Sequence, residues 1–225
     1  MSQASVVSII GGHAAFGRQT VLRDITFAVE AGEVVGVVGA NGSGKSTLLR
    51  MIVGLVRPQQ GEVRLFGHPP FDAGALRRVG ATIDTPALYP WMSGRVVLKT
   101  LLNLSGEADY RRADSALTRF GLADTGRKPV IRYSQGMRKR LALAAAAMRE
   151  PELLILDEPT NALDADGRAT VAAWIDAHRQ AGRSAVIATH RTGDAQLCDR
   201  LVRIDSGHLT ATAADDWALD PGAQI

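Results

Sequence analysis

The chain has 225 residues, 46% hydrophobic and 22% charged, which suits one large folded domain or a domain with an inserted arm. Its formal charge of +3 is small and its cations are scattered and nearly all arginine, so no basic stripe for a nucleic-acid backbone is present and no nucleic-acid partner is expected. A lone cysteine, Cys198, rules out an internal disulfide, and without a long apolar run or a signal-peptide pattern the protein is expected to be cytoplasmic.

Residues 5–38 read as strands: Ile25, Phe27 and Val29 alternate with polar neighbours, and Ala31 and Gly32 turn the chain, an antiparallel preface to a parallel core. A short apolar strand over 33–38 then runs into Gly39, Ala40, Asn41, Gly42, Ser43, Gly44, Lys45, Ser46 and Thr47, and residues 48–56 read as a helix. Strand, glycine-rich loop and helix together make a cradle for nucleotide phosphates. Gly39, Gly42 and Gly44 free the backbone so that amide N–H groups converge on a β-phosphate at a helix N-terminus. Lys45 brings a mobile charge to the β- and γ-phosphates, and the Ser46 hydroxyl can ligate Mg²⁺. Asn41, Ser43 and Thr47 belong to the same nucleotide-binding loop.

After a turn at 57–61, residues 62–66 and 79–84 are short strand candidates. From 85 to 147 the pattern turns helical, with Val96, Val97, Leu101, Leu102, Ala116, Leu117 and Phe120 at helical spacing. This stretch reads as a helical subdomain inserted into an α/β core made of residues 1–84 and 148–210. The core resumes with Leu153, Leu154, Ile155 and Leu156, an all-apolar strand typical of a sheet buried on both faces. A helix over 165–180, a buried strand over 184–189, a short helix and a strand over 201–204 follow. Residues 211–225 show no period and read as a loosely held tail.

Asp157 and Glu158 close the strand at 153–156, at the sheet edge where open α/β sheets bind ligands. Asp157 suits a metal-bound water, and Glu158 suits the role of general base toward an attacking water. The bland alternative is an acidic start to the next helix. His190 ends the strand over 184–189 at the same edge, placed to donate to a γ-phosphate; taken alone it would be a hydrogen-bonded structural residue. Ser134 reads as the N-cap of a further helix, where its hydroxyl and the Gly136 N–H can meet an anion.

In this order and spacing the phosphate loop, Tyr133 to Met137, Leu153 to Glu158, Asn161 to Asp164 and His190 resemble the ATP-binding subunit of an ABC transporter, over nearly the whole chain. The resemblance implies a P-loop NTPase core of the α/β class: a mostly parallel sheet, an N-terminal antiparallel β subdomain and an inserted helical subdomain. It implies ATP and Mg²⁺ as ligands and ATP hydrolysis as the activity. Ser134, Gln135 and Gly136 match a signature loop that closes over ATP held by a second copy of the chain. Asp164 matches the loop that communicates between the two sites, and Phe16 matches an aromatic that stacks on adenine, with a buried core phenylalanine as the competing reading. The other implied partner is a separately encoded membrane permease. Gln135 and Met137 depart from the usual signature in a way similar to ATPases of antibiotic, lantibiotic and other hydrophobic-compound exporters. Asp84 stands where the family usually has glutamine, and it joins Ser46 and Asp157 as an expected metal-site residue. Tyr89 and Trp91 suit either a groove for a partner's helix or packing within the arm.

The rival reading is a soluble ATPase of the same type acting on nucleic acid or ribosomes. Such members carry two cassettes or long coiled coils, and this chain has neither. GTP is disfavoured because Asn161 to Asp164 lacks the lysine of a guanine motif.

Overall fold

Alternation along the first thirty residues builds a long hairpin. β1 (Ser5–Phe16) and β2 (Gln19–Glu30) pair antiparallel, and the chain then enters β3 (Val34–Val38) and α1 (Lys45–Ile52). β4 (Gln60–Leu65) returns to the other side of β1, giving a three-stranded antiparallel sheet in the order β2-β1-β4. The computed structural model describes residues 5–83, 90–125, 127–213 and 217.

After α2 (Ala73–Arg77), β5 (Val79–Thr82) opens one edge of a second sheet. Helices α3 (Gly94–Leu104), α4 (Arg111–Arg119) and α5 (Gln135–Ala147) form the inserted helical region. The core resumes with β6 (Leu153–Asp157), α6 (Ala165–Gln180), β7 (Ser184–Thr189), α7 (Thr192–Ala195), β8 (Arg200–Asp205) and β9 (His208–Thr212). The second sheet runs β5-β6-β7-β3-β8-β9, parallel throughout except for β9.

Burial on both faces explains why these strands are apolar without alternation. With a side-chain period of two, neighbouring residues serve opposite layers. Leu153, Ile155, Val186, Ala188, Val35 and Val37 pack with Leu48 and Ile52 of α1 and with Ile25 and Phe27 of the antiparallel sheet. Leu154, Leu156, Ala185 and Ile187 pack instead with Leu141 of α5 and with Trp174 and Ile175 of α6. The inserted helices dock on α6 through Phe120, whose ring meets Trp174 edge-on, at 5.3 Å between centroids and 85° between planes. The expected fold class is therefore the observed one.

Several boundaries differ from the sequence reading by a few residues, and two of them bear on the site and on the chain's end. The helix expected over 48–56 begins three residues earlier, so Lys45, Ser46 and Thr47 sit in its first turn. Residues 211 and 212, expected to open a loosely held tail, belong instead to β9. Ala211 and Thr212 pair with Val202 and Leu201, and Trp217 is 1% exposed in a small cluster with Val38, Ala195 and Leu201.

Candidate active site

The carboxyl ends of three adjacent parallel strands converge. β3 delivers the glycine-rich loop, β6 delivers Asp157 and Glu158, and β7, which lies between them, delivers His190. There they enclose a cleft of about 730 Å³ lined by Phe16, Asn41, Gly42, Gly44, Lys45, Ser46, Thr47, Asp157, Glu158 and His190, with Val21, Arg50 and Asn161. Phe16 is 53% exposed at the end of β1, so the core alternative for it does not hold.

Backbone shape sets up the loop. Gly39 has φ +153°, and a β-carbon there would lie 2.5 Å from the Ile204 carbonyl oxygen. Gly44 caps α1 in the left-handed region at φ +114°. A helix leaves its first N–H groups without intrahelical partners, and the residues carrying them here, from Lys45 to Thr47, line the cleft. Lys45 is only 6% exposed and its Nζ donates to the carbonyls of Gly39 at 2.7 Å and Ala40 at 3.0 Å. Burial lowers its pKa, while the charges of Glu158 and Asp157 pull it back up.

Glu158 has φ +48°, and its Oε1 lies 2.6 Å from His190 Nδ1. Its second oxygen, Oε2, and Asp157 Oδ1 are buried with no hydrogen-bond partner among the described residues. Buried oxygens of this kind await a donor or a cation. Among the described residues no group of three or more His, Cys, Asp or Glu can hold a metal. The donors of the cleft fit Mg²⁺, which is commonly bound by one or two protein oxygens plus substrate phosphates and water, and Asp157 and Ser46 would be those protein oxygens. Asp84 and Tyr89 lie outside the described residues, and Trp91 is 70% exposed.

Two residues that the sequence reading passed over support this site from outside its lining. Lys139 of α5 donates from Nζ to the Asp157 backbone carbonyl at 2.8 Å. Burial lowers its pKa, opposed by the charges of Asp157, Glu158 and Asp194. Asp194, 3% exposed, accepts from Thr160 Oγ1 at 2.7 and 2.9 Å and from Thr189 Oγ1 at 3.0 Å. It thereby ties the loop after Glu158 to the strand before His190. The signal for Asp194 was its place four residues after His190 in a chain segment that must turn back toward the site. Lys139 sits in a run of three cations, Arg138 to Arg140, and nothing in the run singles it out.

Ser134, Gln135, Gly136 and Asp164 are elsewhere. They line a second cleft of about 720 Å³ together with Arg140 and Met137, and the two clefts share no lining residue. Ser134 is the N-cap of α5, its Oγ accepting from the Met137 N–H at 3.2 Å. Asp164 caps α6, accepting from the Gly167 N–H at 2.9 Å and from Arg140 at 2.5 Å. Those two bonds, the backbone one first, hold its carboxyl below the usual carboxylate range.

The family model for the ABC transporter matches residues 22–161. A daunorubicin resistance ATP-binding protein of Streptomyces coeruleorubidus is 38% identical over 225 residues, covering 97% of this chain and 71% of that protein. The chain belongs to the ABC transporter ATP-binding family. It is an ATPase of that family. The bacitracin transport ATP-binding protein of Enterococcus faecalis is 36% identical over 198 residues, 86% of this ABC ATPase and 64% of the relative. Among solved structures, the dimeric post-hydrolysis state of an ATP-binding cassette bound to ADP and Pi superposes with a TM-score of 0.81 at 23% identity, covering 91% of this chain and 98% of that one, which speaks to the fold. No helix among the described residues of this ABC ATPase is long and apolar enough to cross a membrane.

Proposed function

We propose that two copies of this chain bind two Mg-ATP head to tail, close, hydrolyse and reopen, and so drive a separately encoded membrane permease that exports a hydrophobic compound or peptide and holds the ATPase at the cytoplasmic face. The observation that carries this is the division of the site into two clefts with no residue in common. Phosphate-binding and water-activating groups lie in one, and the capped loop of Ser134 to Gly136 lies in the other, so one chain alone offers half of each site. Relatives named for daunorubicin resistance and bacitracin transport support the exporter reading.

The residues divide the work as follows. Lys45 exchanges the Gly39 and Ala40 carbonyls for phosphate oxygens when ATP enters. Phe16, at the rim, offers its ring to the adenine. Ser46 and Asp157 would hold Mg²⁺, which would offset the charge of the β- and γ-phosphates. Glu158 takes a proton from the water that attacks the γ-phosphorus, and the bond to the bridging oxygen breaks, releasing ADP and phosphate. His190 keeps the Glu158 carboxylate aimed through the 2.6 Å contact. From the second copy, Ser134 and Gly136 close on the γ-phosphate and Asp164 meets its counterpart region.

Glu158→Gln tests the reading. It removes the base and keeps the shape, so turnover should fall by about two orders of magnitude or more while ATP binding persists. Trapped ATP should then hold two chains together. Gel filtration with saturating Mg-ATP should show a dimer, and without nucleotide a monomer. A monomer under both conditions sinks the sandwich.

A further inference from the structure

The peptide unit between Asp157 and Glu158 is held on both edges. Its carbonyl accepts from Lys139 Nζ at 2.8 Å, and its N–H donates to the Ala188 carbonyl of β7 at 2.9 Å. A peptide is planar, so these two bonds fix the plane from which the Glu158 side chain departs. The restraint matters because Glu158 stands at φ +48°, a left-handed conformation that strains a residue with a β-carbon. Rotation of this peptide is the natural route to relieving that strain, and it would carry the carboxylate away from its place beside His190.

Lys139 reaches the peptide from α5, outside the strand layer. Arg140, the next residue on the same helix, reaches Asp164 at 2.5 Å. Two successive cations of α5 therefore hold the segment 157–164 at its two ends. Lys139 is absent from the lining of the nucleotide cleft, so its influence there runs through the backbone it holds. Asp194 secures the middle of the same segment through Thr160.

We propose that Lys139 is a positioning residue for hydrolysis, holding the Asp157–Glu158 peptide so that the Glu158 carboxylate stays aimed at the attacking water; this rests on the reading of Glu158 as the general base. Its loss leaves the nucleotide's own contacts intact and misplaces the base.

The experiment compares Lys139→Met, which keeps an unbranched stem and removes the donor, with Lys139→Arg, which keeps a donor of similar reach. Misplacing a reacting group by about 1 Å costs up to a hundredfold, so Lys139→Met should lower kcat roughly ten- to a hundredfold. Its KM for ATP and its affinity for a non-hydrolysable ATP analogue should stay within about twofold, and Lys139→Arg should recover kcat to within about threefold. An unchanged kcat in Lys139→Met overturns the proposal. So does an equal kcat loss in both variants, which marks a packing role, or a loss of analogue affinity matching the loss in kcat, which marks a nucleotide contact. If the methionine variant does not fold, Lys139→Gln, whose amide stops short of the carbonyl, gives the same comparison. Glu158→Gln is measured beside them. Hydrolysis surviving in Glu158→Gln removes the general-base reading itself, whereas hydrolysis lost there and kept in Lys139→Met removes only the role of Lys139.

Discussion

The two clefts of this ATPase are of similar size and are built in opposite ways. The phosphate cleft hangs from three neighbouring strand ends of a doubly buried sheet, and two of its charged groups are already engaged: Lys45 with two loop carbonyls, Glu158 with His190. The second cleft is assembled from two helix caps and one ion pair, in which the Asp164 side chain is 67% exposed. Its cap bonds are satisfied within the chain, yet it has no wall opposite Ser134 made by the strands. A frame of buried strands holds a reactive group in place before substrate arrives, and helix caps on a surface present one to whatever docks there. On the proposed reading, the first cleft carries the chemistry and the second receives a companion chain.

The largest effect that tests this contrast comes from Lys45→Ala. Hydrogen bonds to charged groups contribute about 1.5 to 3 kcal/mol each, so losing the mobile cation should weaken ATP binding to the monomer roughly a hundredfold. Calorimetric titration of the isolated chain measures it. Binding within a few fold of the unchanged protein would mean that the amide groups of the loop alone hold the phosphates.

Ser134→Arg should break the second cleft and leave the first untouched. It puts a long cation at the α5 cap, the face proposed to meet a second copy, so hydrolysis should fall to a tenth or less while monomer ATP affinity stays within about twofold. If monomer binding drops as far as it does in Lys45→Ala, the clefts are not independent and Ser134 does not serve a second copy.

Much of this contrast is legible in the sequence. The glycine loop, Asp157, Glu158 and His190 follow from strand–loop–helix order, because parallel strands place their carboxyl ends on one edge whatever joins them. Helix α6 and strand β7 fall on the expected residues since Gly182 ends the one and an unbroken apolar run marks the other. Long-range contacts are what the sequence conceals. Lys139 looks like one of three solvated cations, and only the packing of α5 against the sheet sends it to Asp157. β9 and Trp217 were hidden by short length and neighbouring aspartates, and they become visible when β8 offers an unpaired edge and Val38, Ala195 and Leu201 a small apolar pocket. The positive φ of Glu158 has no signature in residue type at all.

The smallest effect concerns the joint between the clefts. Helix α6 starts at the second cleft with its cap Asp164 and ends, one short turn before β7, next to the strand that delivers His190. In its last turn His178 is 5% exposed, with Nε2 at 3.0 Å from the Ser184 carbonyl, which fixes the neutral ring as the donor there. Burial lowers its pKa below the ordinary 6.5, opposed by the Ser184 bond and reinforced by the Arg183 charge. The unfolded chain takes up a proton near pH 6.5 and the folded chain only at lower pH, so stability rises with pH in that interval. His178's contribution is complete above pH 6.5 and is lost as the pH falls from there through the lower folded value, with a slope of at most about 1.4 kcal/mol per pH unit. In His178→Gln the amide keeps a donor and cannot titrate. The difference in unfolding free energy between the two proteins, from urea melts between pH 8 and 5, should therefore be flat above pH 7 and shift in the variant's favour below pH 6.5. A difference independent of pH over that range would show that His178 is not held neutral, and the joint would then rest on α6 packing through Trp174 and Ile175 alone.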